Sequence, residues 1–181
     1  VDRRLRVAER NQGLQAEADA TRAAATPVVS LGEKGLSVKS ADNAFEVKFR
    51  GLVQGDGRMW FGDRDFPQND TFLLRTARPI IEGSLGKLVG FRFTPEFAGD
   101  GASIVDAYVD LRFDPAYTLR AGKFTSPVGL ERLQSSSALS DIERSLASEL
   151  APNRDMGIQL QGDVADGRLG YAVGVFNGAV D

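Results

Sequence analysis

The stretch FEVKFRGLVQGDGRMWF, residues 45–61, decides how the rest of the chain is read. Its odd positions are Phe45, Val47, Phe49, Gly51, Val53, Gly55, Gly57, Met59 and Phe61; its even ones are Glu46, Lys48, Arg50, Leu52, Gln54, Asp56, Arg58 and Trp60. A period of two puts the first set on one face of a strand and the second on the other, apolar or glycine against polar and charged. At about 3.3 Å per residue the stretch would span roughly 55 Å, whereas strands of soluble domains usually run to about five or six residues. A tilted strand that crosses a bilayer and projects beyond it accounts for the length.

The alternation recurs outward from there. Val89, Phe91, Phe93 and Phe97 share a face against Arg92, Thr94 and Glu96; Val105, Ala107, Val109, Leu111 and Phe113 share one against Asp106, Tyr108, Asp110 and Arg112. Met156, Ile158, Leu160 and Val164 oppose Gln159, Gln161 and Asp163, and Leu169, Tyr171, Val173 and Val175 oppose Gly170, Ala172 and Gly174. Residues 36–40 and 118–124 add a short strand and a moderate one. In 72–85, Arg78 and Glu82 belong to the polar face while Arg75 has the opposite parity; a bulge near Arg75 and Thr76 restores it. Pro79 is then left pointing outward within a strand, which the sequence does not explain.

Short turns at 83–87, 114–117 and 165–168 alternate with long loops at 62–71 and 125–154, the habit of an outer-membrane barrel. The expected fold is therefore all-β, an antiparallel transmembrane β-barrel with seven or eight strands present, behind a short N-terminal polar helix. A soluble sandwich shares the alternating connections but explains neither the strand length nor the charge on the polar face. Two regions are expected: 1–26, a helical or coiled-coil segment, and 35–181, the N-terminal part of a barrel including the loop 125–154. In the first, Val1, Leu5 and Ala8 stand at coiled-coil spacing but Gln12 and Gln15 follow in the seam, so it reads as a solvated helix or linker, with an oligomerising stalk as the alternative. Neither terminus reads as natural: Val1 has no leader before it, and Asp181 directly follows a strand pattern, so further strands are expected beyond it.

Composition narrows the function. The 181 residues are 42% hydrophobic and 26% charged, with no cysteine and no histidine, which removes disulfide frameworks, thiolate or histidine metal sites and Cys or Ser-His nucleophiles. No cofactor is expected. Twenty-two basic and 25 acidic residues give −3, against a nucleic-acid partner held by bulk charge. No run of 18 apolar residues offers a transmembrane helix, a test to which barrels are blind.

The loop TSPVGLERLQSSSALSDIERSLASELAPNR, residues 125–154, interrupts the strands. Ser140 and Glu143 have capping-box spacing, and Ile142, Leu146 and Leu150 suggest a packed helix ended by Pro152. Its chemistry points to anions: Arg132 offers a guanidinium fork, and Ser135, Ser136 and Ser137 offer hydroxyl donors. The alternative is that Arg132 pairs with Glu131 or another carboxylate and the serines only shape turns. On the polar strand faces stand Lys48, Arg50, Arg58, Arg78, Arg92, Arg112 and Arg120 against Glu46, Asp56, Glu82, Glu96, Asp106, Asp110 and Asp163, a balanced seven to seven. A soluble carboxylate enzyme built on Asp106 and Asp110 is the competing class; four residues apart on one strand, they stand roughly 13 Å from each other, beyond either glycosidase geometry. A soluble binding domain on a helical stalk is a further one.

From Gly35 to Gly178 the chain resembles the phosphate-selective porin O and P family of bacterial outer membranes, carried by FLLRTARPIIEGSLGKLVGFRF, DAYVDLRF, LRAGKFTSPVGLERLQSSSALSDIERS, NRDMGIQLQGD and YAVGVFNG. The resemblance implies barrels of about sixteen strands associating as homotrimers, a Gram-negative outer-membrane location with the N-terminal helix periplasmic, contact with lipid, and a diffusion channel rather than an enzyme. It implies anions, phosphate or polyphosphate among them, as permeant solutes. The basic residue and paired serines of the inward-folded loop match Arg132, Ser135 and Ser136, with arginine in place of lysine. Where the family pattern has a pair of arginines, this chain has Arg75 and Thr76. Leu52 stands at an expected arginine, with Arg50 nearby on the same face, and Ser137 at an expected lysine. These departures bear on strict phosphate selectivity, and a general, weakly selective porin is the neighbouring alternative.

Overall fold

The alternating segments pair in chain order. In the computed structural model, which describes residues 10, 13–15, 26–33, 35–61, 70–99, 101–139 and 143–178, nine strands form one sheet: β1 Val28–Gly32, β2 Gly35–Lys39, β3 Phe45–Arg58, β4 Thr71–Leu85, β5 Val89–Glu96, β6 Ser103–Asp114, β7 Tyr117–Thr125, β8 Arg154–Val164 and β9 Leu169–Phe176. Every pair is antiparallel and joins neighbours in sequence, and β1 and β9 form the two edges. The count is nine rather than seven or eight. The added strand is β1, whose five residues Val28–Gly32 pair with β2 from Val28↔Lys39 to Gly32↔Gly35. Residues 10 and 13–15 are helical; the rest of the expected N-terminal helix lies outside the described residues.

Register accounts for the irregular parities. Gln54 faces Thr76 and Gly55 faces Leu74, so Arg75 has no partner on β3: the expected bulge sits there, keeping Leu73 and Thr76 on the polar face and Phe72 and Leu74 on the apolar one. Pro79 faces Gly51 on the apolar side, beyond the last β4–β5 pair at Ile81↔Phe93, where no β5 residue faces it. A second bulge corrects the sequence reading. Thr94 faces Asp106 and Pro95 faces Ile104, so Val105 is unpaired, turns to the polar side and is buried there instead of joining Ala107 and Val109 outside. Gly122, opposite Tyr108, has φ +132°; a Cβ there would drive into the Ala107 carbonyl oxygen, so only glycine keeps β6 and β7 this close.

Burial is inverted relative to a soluble sheet. Among the described residues the buried hydrophobic side chains are Val105 and Phe124, whereas Thr76, Thr94, Glu96, Asp106, Asp110 and Gln159 on the strands are buried polar groups. Phe45, Phe49, Val53, Phe72, Val173 and Val175 of the apolar face are exposed. The polar face is thus the covered one, and the sheet leaves a continuous apolar face bare. The antiparallel order sends the short turns after β2, β4, β6 and β8 to one end. The described residues 59–61, 70, 97–99, 101–102, 126–139 and 143–153 lie at the other, those of 126–139 and 143–153 folding over the polar face.

Candidate functional site

The segment 126–153 holds three short helical turns: α1 Leu130–Leu133, a 3-10 turn Ser136–Ala138 and α2 Leu146–Glu149. Gly129, at φ 84°, starts α1. Cross-links within the segment make it a unit. The Glu131 carboxylate accepts from the Ser145 backbone N–H at 3.0 Å, from the Ser145 hydroxyl at 2.5 Å and from the Ser148 hydroxyl. Arg132 Nε donates to the Ser148 carbonyl at 2.7 Å, and Arg144 donates to the carbonyls of Glu131 (3.3 Å) and Gln134 (2.8 Å). Those hydroxyl and N–H donors, Ser145 foremost, pull the Glu131 carboxyl down to about 2. Ser140, on which the expected capping box rests, and Ile142 lie outside the described residues.

Between this segment and the polar face of β3–β8 lies a cavity of about 470 Å³. Seven arginines line it: Arg75, Arg78, Arg92 and Arg120 from the strands, Arg132 and Arg144 from the loop, and Arg154 at the head of β8. Among the described lining residues Asp106 is the one acid. The other carboxylates stand behind the arginines. Glu96 binds Arg78 at 2.5 Å and accepts the backbone N–H groups of Ala77, Phe97 and Ala98, doing for the overhanging part of β4 what a strand partner would. Asp110 holds Arg120 through two bonds of 2.7 and 3.0 Å, with the guanidinium 4.0 Å from the centre of the Tyr108 ring. Asp106 takes Arg154 at 3.0 Å and lies 3.7 Å from Arg92.

The loop arginines differ. Among the described residues neither Arg132 nor Arg144 has a carboxylate within ion-pair reach, and both are held by backbone carbonyls. Burial, and after it the positive charges of Arg132 and Arg154, pulls Arg144 below the ordinary arginine value. Carbonyl dipoles fix the two guanidinium groups without cancelling their charge.

Of the residues singled out from the sequence, Arg75, Arg78, Arg92, Arg120, Arg132 and Ser135 come together at the cavity. Lys48, Arg50, Arg58 and Arg112 stand off it, beside Glu46 (3.5 Å), Glu82 (2.7 Å), Asp56 (3.7 Å) and Asp110 (3.9 Å). Ser135 shapes a turn as well: its hydroxyl accepts the Ser137 N–H and shares a 2.9 Å bond with the Ser137 hydroxyl. Of Ser136 only the backbone is described. Arg132 does not pair with Glu131, which the two serines occupy. Arg144 and Arg154 were not singled out, although both lie in the loop segment and the motifs quoted above. Asp106 and Asp110, the acids of the enzyme alternative, are each bound to arginine.

The cavity and the bare apolar face are what a channel wall needs, polar within and apolar without. The profile described as phosphate-selective porin O and P matches residues 45–181. Comparison with curated proteins gives no match. The match spans well over half the chain, and the chain belongs to the phosphate-selective porin O and P family, a family of outer-membrane channels.

Proposed function

We propose that this chain builds part of an outer-membrane diffusion channel that prefers anions, with phosphate and related tetrahedral oxyanions as its solutes. One observation carries the reading: among the described residues seven arginines and one carboxylate line the cavity, and the two loop arginines have no carboxylate within ion-pair reach. The mechanism contains no chemical step. Arg132 and Arg144 attract the anion and replace part of its hydration shell with fixed donors, while the acid-paired strand arginines Arg75, Arg78, Arg92 and Arg120 line its path. Ser135 and Ser136 shape the turn that presents Arg132. Lys48, Arg50, Arg58 and Arg112 supply the outer parts of the same lumen. Fixed positive charge on a rigid loop favours entry of the anion, and carbonyl-held guanidinium groups in place of a closed cage permit its release. In this reading the apolar face meets lipid, the free edges of β1 and β9 are paired by further strands of a trimeric barrel, and the N-terminal segment is periplasmic.

A general porin with little selectivity is the second reading, favoured by the near neutralisation of the strand wall, where Arg78, Arg92, Arg120 and Arg154 all have acid neighbours. A planar bilayer holding the full-length porin separates the two. The zero-current potential is read across a potassium chloride gradient, and inorganic phosphate is then titrated on one side. The anion reading expects chloride-selective current blocked by phosphate, with the block relieved in Arg132→Ala. Weak selectivity without block assigns the general porin.

A further inference from the structure

Among the described residues the loop's side-chain hydrogen bonds run mostly within the loop itself. Glu131, Arg132, Arg144, Ser145 and Ser148 all bond within 126–153, as does Ser126, whose hydroxyl donates to the carbonyls of Pro152 (3.0 Å) and Asn153 (3.4 Å). Among the described residues, one loop side chain makes ion pairs to the strands. Glu143 lies 2.9 Å from Arg75 Nη2 and 3.8 Å from Arg58 Nη2. Arg75 is the unpaired bulge residue of β4, and Asp56 of β3 supports both arginines, at 3.4 and 3.7 Å.

This contact differs from the other arginine–carboxylate pairs of the cavity. In Arg78–Glu96, Arg120–Asp110 and Arg154–Asp106 both partners sit on strands of one hydrogen-bonded sheet, which holds their backbones in place. Glu143 sits on a connecting segment and its side chain is 68% exposed, so its pair is of the weak, solvent-screened kind. Two guanidinium groups that converge on one exposed carboxylate form a site for an anion, and a carboxylate is itself an oxyanion. We infer that Glu143 is a resident competitor: it occupies the oxyanion site made by Arg58 and Arg75, and a permeating oxyanion exchanges with it. The negative charge of Glu143 thereby sets how strongly that side of the cavity attracts anions, and its displacement unties the loop from the wall.

The inference rests on the anion-channel reading for its permeant species but not for its coupling, and the experiment keeps the two apart. Glu143→Gln is compared with wild type, each alone and in an Arg58→Gln/Arg75→Gln background, by zero-current potential in a potassium chloride gradient and by half-blocking concentration of inorganic phosphate. With wild-type arginines, removing the competitor is expected to raise the chloride-to-potassium permeability ratio and lower the half-blocking concentration, each by roughly two- to fivefold. In the double-glutamine background both shifts are expected to vanish. An unchanged wild-type comparison, or equal shifts in both backgrounds, overturns the inference, because Glu143 would then act as a distant charge or not at all. If wild type shows no phosphate block, the anion-channel reading fails on its own, and the potential shift still tests whether Glu143 is coupled to Arg58 and Arg75. Arg75→Lys guards against a folding defect: it keeps the charge, loses the fork, and is expected to weaken the Glu143 effect without abolishing the channel.

Discussion

At the scale of single residues, one side-chain type fills two roles according to what holds it. Arg120, gripped by both oxygens of Asp110 and lying against Tyr108, is a neutralised part of the wall. Arg132 and Arg144 line the cavity bonded to backbone carbonyls, with no carboxylate within ion-pair reach among the described residues. The sequence counts seven bases against seven acids on the polar faces, and the cavity adds Arg75 and Arg154 from the strands to that count. It hides the outcome because neutralisation depends on which acid lies across the strand, which only register reveals. Arg154 was illegible for the same reason, and Arg144 because its place follows from bonds within the loop, to the carbonyls of Glu131 and Gln134. Glu131 yields the pH test. Its carboxyl is held at about 2 in the folded loop against 4.5 ordinarily, so the folded state binds fewer protons, and the stability this confers is fully present above about pH 4.5 and is lost as pH falls towards about 2. Pepsin nicking of the loop is therefore expected to be faster in Glu131→Gln than in wild type at about pH 5, with the ratio approaching one as the pH nears about 2. A ratio that stays constant across that range contradicts the clamp.

At the scale of elements, legibility followed length and regularity. The segments that became β3 and β6 declared themselves because alternation ran long enough to be counted, and Arg75 announced its bulge by breaking parity within such a run. β1 was missed because Val-Val-Ser-Leu-Gly is too short to show a period and stands where the helical composition ends. Val105 was misplaced because the β5–β6 bulge falls between residues that keep parity on paper. Close pairing makes a further demand. Gly122 combines positive φ with the near approach of Ala107, so Gly122→Ala is expected to destabilise the folded protein by about 2–4 kcal/mol through backbone strain and steric displacement. Thermal unfolding in detergent, followed by circular dichroism, measures it; a variant as stable as wild type shows that β6 and β7 can separate freely.

At the scale of the whole molecule, the inverted burial is what matters. β3 and β4, of 14 and 15 residues, exceed the roughly 9–11 residues that a tilted strand needs to cross a bilayer. The chain contains no cysteine, so single-cysteine variants report one face at a time. In lipid, nitroxide labels at Val53→Cys and Val175→Cys, whose native side chains are 74% and 79% exposed, are expected to be relaxed by dissolved oxygen and shielded from a water-soluble nickel complex. A label at Ser135→Cys, on the cavity, is expected to show the reverse. Water-phase relaxation at both valines removes the membrane assignment of the apolar face.

The strictly sequential strand order also governs how such a wall comes into being. Every strand finds its partner in the one just before it, so each new pairing closes only the intervening turn or loop, and the entropy of closure stays small except across 126–153. Among the nine strands assembly can run like a zip from the first hairpin onward, each finished strand serving as template for the next, and only the pairing of the free edges of β1 and β9 waits for strands elsewhere. A defect in one hairpin would therefore halt everything after it and leave everything before it formed. The long loop before β8 is where the zip pauses longest.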